Sequence, residues 1–329
     1  MTVPLIIDTD PGVDDAFAIC LAAASPEADL LAVTTTFGNV DLETTTVNAR
    51  RVLGLLGRDD VPIGRGAEVP LVHPVSERAE HVHGDDGLGG RAADFTPLAP
   101  EPVARAQDLL ARTLEAAETP VTVAAIGPFT NIALLLATRP DLVARVGRLV
   151  VMGGAIGCGG NVTRAAEFNV RSDPEAARRV LVEEPGLHGL PVTVVPLDLT
   201  HAVGVDGPWL EALAASGPVG AALAATRRSY LDRVGRGEVP GEAGPGRVAI
   251  HDALALLEAI IPGTLATVPL DLEIDTSLGP ARGAVLADRR DGRPPGAVRV
   301  ALPTTPDATT DAEAVRAELL ARLRGAPSV

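Results

Sequence analysis

The sequence predicts an α/β domain in which a mainly parallel central sheet is flanked by helices. Three observations carry this prediction. Short apolar, β-type runs alternate with longer segments of helical pattern, which is the rhythm of βαβ units. The polar residues that stand out fall directly after those runs, at the edge where open parallel sheets gather ligands. The chain has 329 residues and is 46% hydrophobic, enough to cover both faces of such a sheet. The architecture expected is Rossmann-like, with the active site at the carboxyl ends of the strands.

The first strand is VPLII (3–7), followed by LLAVTTT (30–36), VTVAAI (121–126), LVVM (149–152) and PVTVVPL (191–197). Runs this apolar suit strands covered on both faces. Helical patterns lie between and after them, over 13–24, 42–56, 102–117, 130–137, 174–184, 207–234, 251–260 and 310–324, with Asp173-Pro174 as an N-cap and first-turn pair. Beyond 260, the segments 268–274, 283–287 and 297–302 read as strands joined by Arg/Asp/Gly/Pro turns, forming a sheet extension or a hairpin. Two long Gly- and Pro-rich loops, 64–101 and 235–250, have the length of lids or binding loops. No linker or repeat divides the chain, so residues 1–329 are expected to form one domain.

A formal charge of −15 excludes a nucleic-acid-binding protein that works through a basic face. All 28 basic residues are arginines, which excludes a lysine nucleophile, Schiff base or phosphate clamp. Two cysteines, Cys20 and Cys158, make no disulfide framework and no zinc spacing, so a reducing cytoplasm is the expected compartment. Neither a signal segment nor an apolar run long enough for a membrane span occurs in the sequence.

The sharpest local signal is DTDPGVDDA (8–16), which places Asp8, Asp10, Asp14 and Asp15 at the end of the first strand. Two unit charges about 4 Å apart repel by roughly 1 kcal/mol in water and by more near a protein interior. Such a cluster calls for protons or a cation, and carboxylates with no neighbouring Cys or His favour a hard ion such as Ca²⁺. Part of the acidity would be met simply by capping the helix that follows. An EF-hand fails on spacing, because Val13 stands at the turn glycine's place and Ile19 at that of the final glutamate. A phosphatase of the haloacid-dehalogenase type, with Asp8 as nucleophile and Asp10 as acid/base, stays open, although the lysine such enzymes use is missing.

DTDPGVDDA, FGN (37–39), HGDDGLGG (83–90), IGPFTN (126–131), MGG (152–154), GGNVTRAAEFNV (159–170), DPEAA (173–177) and IHDALAL (250–256) together resemble the inosine-uridine-preferring nucleoside hydrolases. The resemblance runs from residue 3 to about 260. It implies a Ca²⁺-dependent N-ribohydrolase that splits ribonucleosides into base and ribose and assembles as a homo-oligomer, a dimer or tetramer. The ion would be held by Asp10, Asp15, the carbonyl of Ile126 and Asp252, and Asp10 would accept the proton of a metal-activated water. Asp14, Asn39, Asn161, Glu167 and Asn169 would hold the ribose hydroxyls, Met152 and Phe168 would contact the sugar, and His83 would help to close the site. His251 would give a proton to the departing base, a task that suits a group titrating near neutrality.

Some of these residues have structural alternatives. Asn39 and Asn161 follow glycines in turns, where Asn is locally favoured. Arg164 and Arg171 depart from the family pattern, which bears on local packing and not on the ion ligands. The base end is less constrained: TRRSYLDRV (226–234) offers Arg227, Tyr230 and Val234 at helical spacing toward the cleft, with Tyr230 as a base contact or proton relay. With Trp209 as the sole tryptophan, stacking of a purine between tryptophans is not expected, which favours a non-specific or pyrimidine-leaning enzyme. A Ca²⁺-dependent ribosyl-binding protein without turnover is the alternative from another class.

Overall fold

In the computed structural model, residues 2–73, 78–236, 243–290 and 296–328 are described. The strands are β1 (Val3–Thr9), β2 (Ala28–Thr35), β3 (Ile63–Arg65), β4 (Ala104–Arg105), β5 (Val121–Ala125), β6 (Val146–Met152), β7 (Val192–Val195), β8 (Val205–Asp206), β9 (Arg247–Val248), β10 (Thr267–Leu270), β11 (Leu272–Ile274), β12 (Val285–Ala287) and β13 (Val298–Ala301). Among the described residues, nine of them form one sheet in the order β10-β13-β7-β6-β5-β1-β2-β3-β4. Every pairing in it is parallel except β10 with β13, so the sheet is mainly parallel with an antiparallel edge.

β1 sits in the middle because both of its faces are apolar. Leu5 and Ile7 join one core cluster and Ile6 the other, the period-two alternation of a strand covered on both sides. Its register sets Asp8 opposite Thr34 of β2 and Ala125 of β5, so three strand ends finish level. The helix Val13–Ala24 is buried from Val13 through Ala22, and the helix His251–Ile260 is buried along its whole length. The two pack together on one face, which brings the starts of both helices to the same sheet edge.

Several elements differ from expectation. The helix expected over 207–234 is two helices, Gly207–Ala214 and Pro218–Gly235, broken where Gly217 takes φ 131° and Pro218 opens the second. The helix expected over 174–184 begins at Pro174, passes through a wide turn at Arg179–Glu183 and continues to His188. The run 268–274 divides at Asp271: β10 extends the main sheet, whereas β11 pairs with β12 in a separate ribbon. The long loops carry structure of their own, including a helical turn at Glu80–His83 and the pairing of β8 with β9. Residues 74–77 and 237–242 of those loops lie outside the described residues. Among the described residues, no helix is long and apolar enough to cross a membrane.

Candidate active site

Asp10 follows β1 directly, and its buried carboxylate is fixed on one side only. Oδ2 accepts the Asn39 backbone N–H at 2.7 Å, whereas Oδ1 has no hydrogen-bond partner among the described residues. Two glycines make room for this carboxylate: a Cβ on Gly38 would lie 1.9 Å from Oδ2, and one on Gly127 would lie 2.6 Å from Oδ1. Asp15 accepts from Thr9 Oγ1 at 2.5 Å, the Gly12 N–H at 2.9 Å and Asn39 Nδ2 at 3.0 Å. The Asn39 amide also reaches the Asp10 carbonyl at 3.1 Å, so one side chain ties both aspartates.

Asp14, Asp15 and Asp252 each offer a carboxylate oxygen within 4.8 Å of the other two. Among the described residues this triple is an acidic group compact enough to hold one ion, and Asp10 stands beside it, tied to Asp15 through Asn39. Burial first, then the charge of Asp15, pushes the Asp10 carboxyl well above the usual range. Asp252 is raised likewise by burial and by Asp14, Asp15 and Asp10, and Asp15 is pushed up to about 6 by burial and Asp14. These groups resist ionising together in the absence of a cation. An all-oxygen donor set, with one buried carboxylate oxygen left over, fits a hard divalent ion.

Asp8 is a different case. It is fully buried, accepts from Thr34 Oγ1 at 2.5 Å and Asn131 Nδ2 at 2.8 Å, and does not line the cleft. Burial raises its carboxyl to about 7 against those two hydrogen bonds. Among the described residues, the hydrogen bonds of its carboxylate run to Thr34 and Asn131 and not to the group of Asp10, Asp14 and Asp15, which gives no support to the phosphatase reading of DTD with Asp8 as nucleophile.

A cleft opens above the acidic group. Asp14, Asn39, His83, Ile126, Met152, Asn161, Glu167, Phe168, Asn169, Tyr230, His251 and Asp252 all line it, whereas Asp10 and Asp15 lie buried beneath its floor. Glu167 is pinned by the N–H groups of Gly154 (2.8 Å), Asn169 (2.9 Å) and Val170 (3.2 Å). Asn169 Nδ2 donates to the carbonyls of Ile126 (2.9 Å) and Met152 (3.1 Å), joining the ends of β5 and β6. Asn161 Oδ1 accepts the Phe168 N–H at 3.0 Å. His83 Nδ1 accepts the Val13 N–H at 3.0 Å; with that nitrogen accepting, the Asp14 carboxylate 3.9 Å away is a neighbour and not an ion-pair partner.

The expectation that Val234 faces the cleft is corrected: it packs against the main core, and the helix Pro218–Gly235 presents Arg227 and Tyr230 instead, with the guanidinium 4.8 Å from the tyrosine ring centroid. Trp209 is also remote, packing on Phe17 and donating Nε1 to the Arg316 carbonyl. Ala79, His81, Val82 and Val162 line the cleft without having been expected. His81 and Val82 precede the HGDDGLGG motif by only a residue or two, the one signal that could have found them. His251 is held from behind by Thr200, whose Oγ1 lies 2.7 Å from its Nδ1.

Fold and cleft together define a class: an α/β domain whose central strand ends carry a buried carboxylate centre beneath a cleft lined by amides, carboxylates and histidines. The profile described as inosine-uridine preferring nucleoside hydrolase matches residues 5–314, and the chain belongs to that family. It is 38% identical over 288 residues to the pyrimidine-specific ribonucleoside hydrolase RihA of Citrobacter koseri, covering 88% of this chain and 89% of that protein. Among solved structures it is similar to the plant nucleoside hydrolase PpNRh1, with a TM-score of 0.84 and 33% identity across 98% of this chain and 99% of that one. The purine-preferring ribonucleoside hydrolase from Gardnerella vaginalis is similar at a TM-score of 0.85 and 29% identity, with 98% of each chain covered.

Proposed function

We propose that this protein is a calcium-dependent ribonucleoside hydrolase that cleaves the N-glycosidic bond to give free base and ribose, with uridine and cytidine preferred. The observation that carries the reading is the buried, oxygen-only carboxylate group under one wall of the cleft, with His251 on the wall beside it. Asp10, Asp15, the Ile126 carbonyl and Asp252 would hold the ion, with Asp14 alongside. When bound, calcium supplies the positive charge that lets these carboxylates ionise together and lowers the pKa of a coordinated water.

The chain's own groups supply the rest. Asp10 Oδ1 is the base that takes a proton from the attacking water. Asp14, Asn39, Asn161, Glu167 and Asn169 hold the ribose hydroxyls with a mixture of acceptors and amides, which fixes C1′ over the carboxylates. Three backbone N–H groups keep Glu167 in place, so its carboxylate meets the sugar without rearranging. As the C–N bond breaks, its electron pair passes to the base, and His251 supplies the proton that neutralises it. Pyrimidine preference is supported by the RihA relatives and by the placing of the sole tryptophan away from the cleft.

The test is reducing-sugar release from inosine, adenosine, guanosine, uridine and cytidine, with calcium and after chelation. The expected result is calcium-dependent release, fastest with uridine and cytidine. No release from any of the five overturns hydrolysis in favour of a ribosyl-binding protein, and undiminished release after chelation overturns the metal. Turnover of inosine without that of uridine overturns the base preference.

A further inference from the structure

We propose that Asn48 is a positioning residue for substrate binding: its side-chain amide docks the loop that carries His83 onto the carboxylate loop, so that His83 stands in the cleft before a nucleoside arrives. The inference rests on the ribohydrolase reading and deepens it. Asn48 lies on the helix Leu42–Leu55 and is buried. Its Nδ2 donates to the Pro11 carbonyl at 3.1 Å and to the Asp86 carbonyl at 2.9 Å, so one amide spans the stretches DTDPGVDDA and HGDDGLGG. The direction of both bonds is fixed, because a backbone carbonyl can only accept. With two protons on Nδ2, the amide uses its whole donor capacity on this bridge.

The loop on the far side of the bridge is bound closely to itself. The Asp86 carboxylate accepts the N–H groups of Leu88 (2.9 Å), Gly90 (2.8 Å) and Ala92 (3.0 Å), so a hold on the Asp86 carbonyl is felt through the whole turn. Gly87, at φ 72°, lets the turn come down on the amide: a Cβ there would lie 2.7 Å from Asn48 Nδ2. A second bond runs from the Val13 N–H to His83 Nδ1 at 3.0 Å. Both bonds end on residues 11–13, between Asp10 and Asp14, whereas Asp10 and Asp15 are tied separately through Asn39. Removing the Asn48 donors therefore loosens the loop without untying the carboxylates. A ligand that needs the docked loop then binds with an affinity reduced by the fraction of molecules in which the loop is docked.

The experiment compares wild type with Asn48→Leu, which keeps the shape of the side chain but not its donors, and with Gly87→Ala, which presses on the same contact from the loop side. Each is measured with calcium present, for uridine turnover, for ribose affinity by calorimetry and for backbone hydrogen exchange over residues 79–92. In both variants KM for uridine and Kd for ribose are expected to rise about 10-fold, as for a docked fraction of about one-tenth, while kcat stays within about twofold because saturating substrate restores the docked loop. Exchange over 79–92 should quicken in the free variants and return to wild-type protection with ribose bound, and calcium affinity should not change. Adding Asn48→Leu to His83→Ala should raise KM by less than about twofold, because the residue it positions is already gone. A fall in kcat at unchanged KM, unchanged exchange in the loop, faster exchange across the whole sheet, or additive costs in the double variant overturns the proposal. If wild type releases no ribose from uridine, the hydrolase reading fails, and the ribose affinity and loop exchange of the variants still decide the role of Asn48.

Discussion

The two ends of the cleft are built on different principles. At the proposed ribose end, Asp10, Asp15, Asn39, Glu167 and Asn169 stand on or beside strand ends, and each is fixed by hydrogen bonds to the backbone or to another of the set. At the proposed base end, His81, Val82, Val162, Arg227 and Tyr230 come from a helical turn, a loop and one face of a long helix. The first end is dictated by sheet topology and the second by segments strung between elements. Within one fold, the contacts that every ribonucleoside needs can stay constant while those that tell bases apart vary. Relatives named as pyrimidine-specific and as purine-preferring share this architecture.

If that division is right, damage at the ribose end must abolish turnover of every substrate. Asp10→Asn keeps the shape of the side chain but removes its basicity, and kcat is expected to fall by about 10³-fold on all five nucleosides. Ribose affinity, measured by calorimetry, should fall far less; equal loss of both would remove Asp10 from the role of base. Gly127→Ala would place a methyl 2.6 Å from Asp10 Oδ1, so it should cost comparable activity and about 1–3 kcal/mol of stability in denaturant melts.

The same division explains how much could be read from sequence. Asp10, Asp14 and Asp15 were legible because one short stretch both ends a strand and starts a helix, and Asp252 because it opens another, largely apolar helix. β1, β5 and β6 were legible as unbroken apolar runs. β3 and β4, of three and two residues, are too short to show any period. The break at Gly217-Pro218 was written in the sequence but masked by helical pattern on both sides. Thr200 and His201 carry no local signal: their place behind His251 comes from β7 and the helix His251–Ile260 meeting in space.

Loss of the cation is the next largest effect. A ligand held only by the folded state stabilises it by about 2.7 kcal/mol at a hundredfold excess over Kd, so chelation should lower the melting temperature and calcium restore it. Chelation should also create a pH dependence. The carboxyls of Asp15 and Asp8 sit at about 6 and about 7 in the folded chain against an ordinary value of 3.8. Between those values the folded state binds more protons than the unfolded one, so stability falls as pH rises through the window. Metal-free protein is therefore expected to gain from these groups at about pH 5 relative to about pH 8, and calcium should flatten that difference by favouring the ionised forms. A chelated protein whose melting temperature matches the loaded one at both pH values would break the link between the carboxylates and the ion.

The smallest effect expected is the most discriminating. Tyr230→Phe leaves a ring beneath Arg227 and removes only a hydroxyl at the base end. If the division holds, ribose affinity and calcium dependence should stay at wild-type values. The ratio of kcat/KM for uridine to that for inosine should nevertheless move, by roughly 10-fold or less, since a single polar contact in a largely apolar pocket discriminates modestly unless it is fully desolvated and matched. A uniform loss on all five nucleosides would make Tyr230 part of the ribose machinery and dissolve the boundary between the two ends. A changed ratio with unchanged ribose binding would place that boundary between the strand ends and the helix that carries Tyr230.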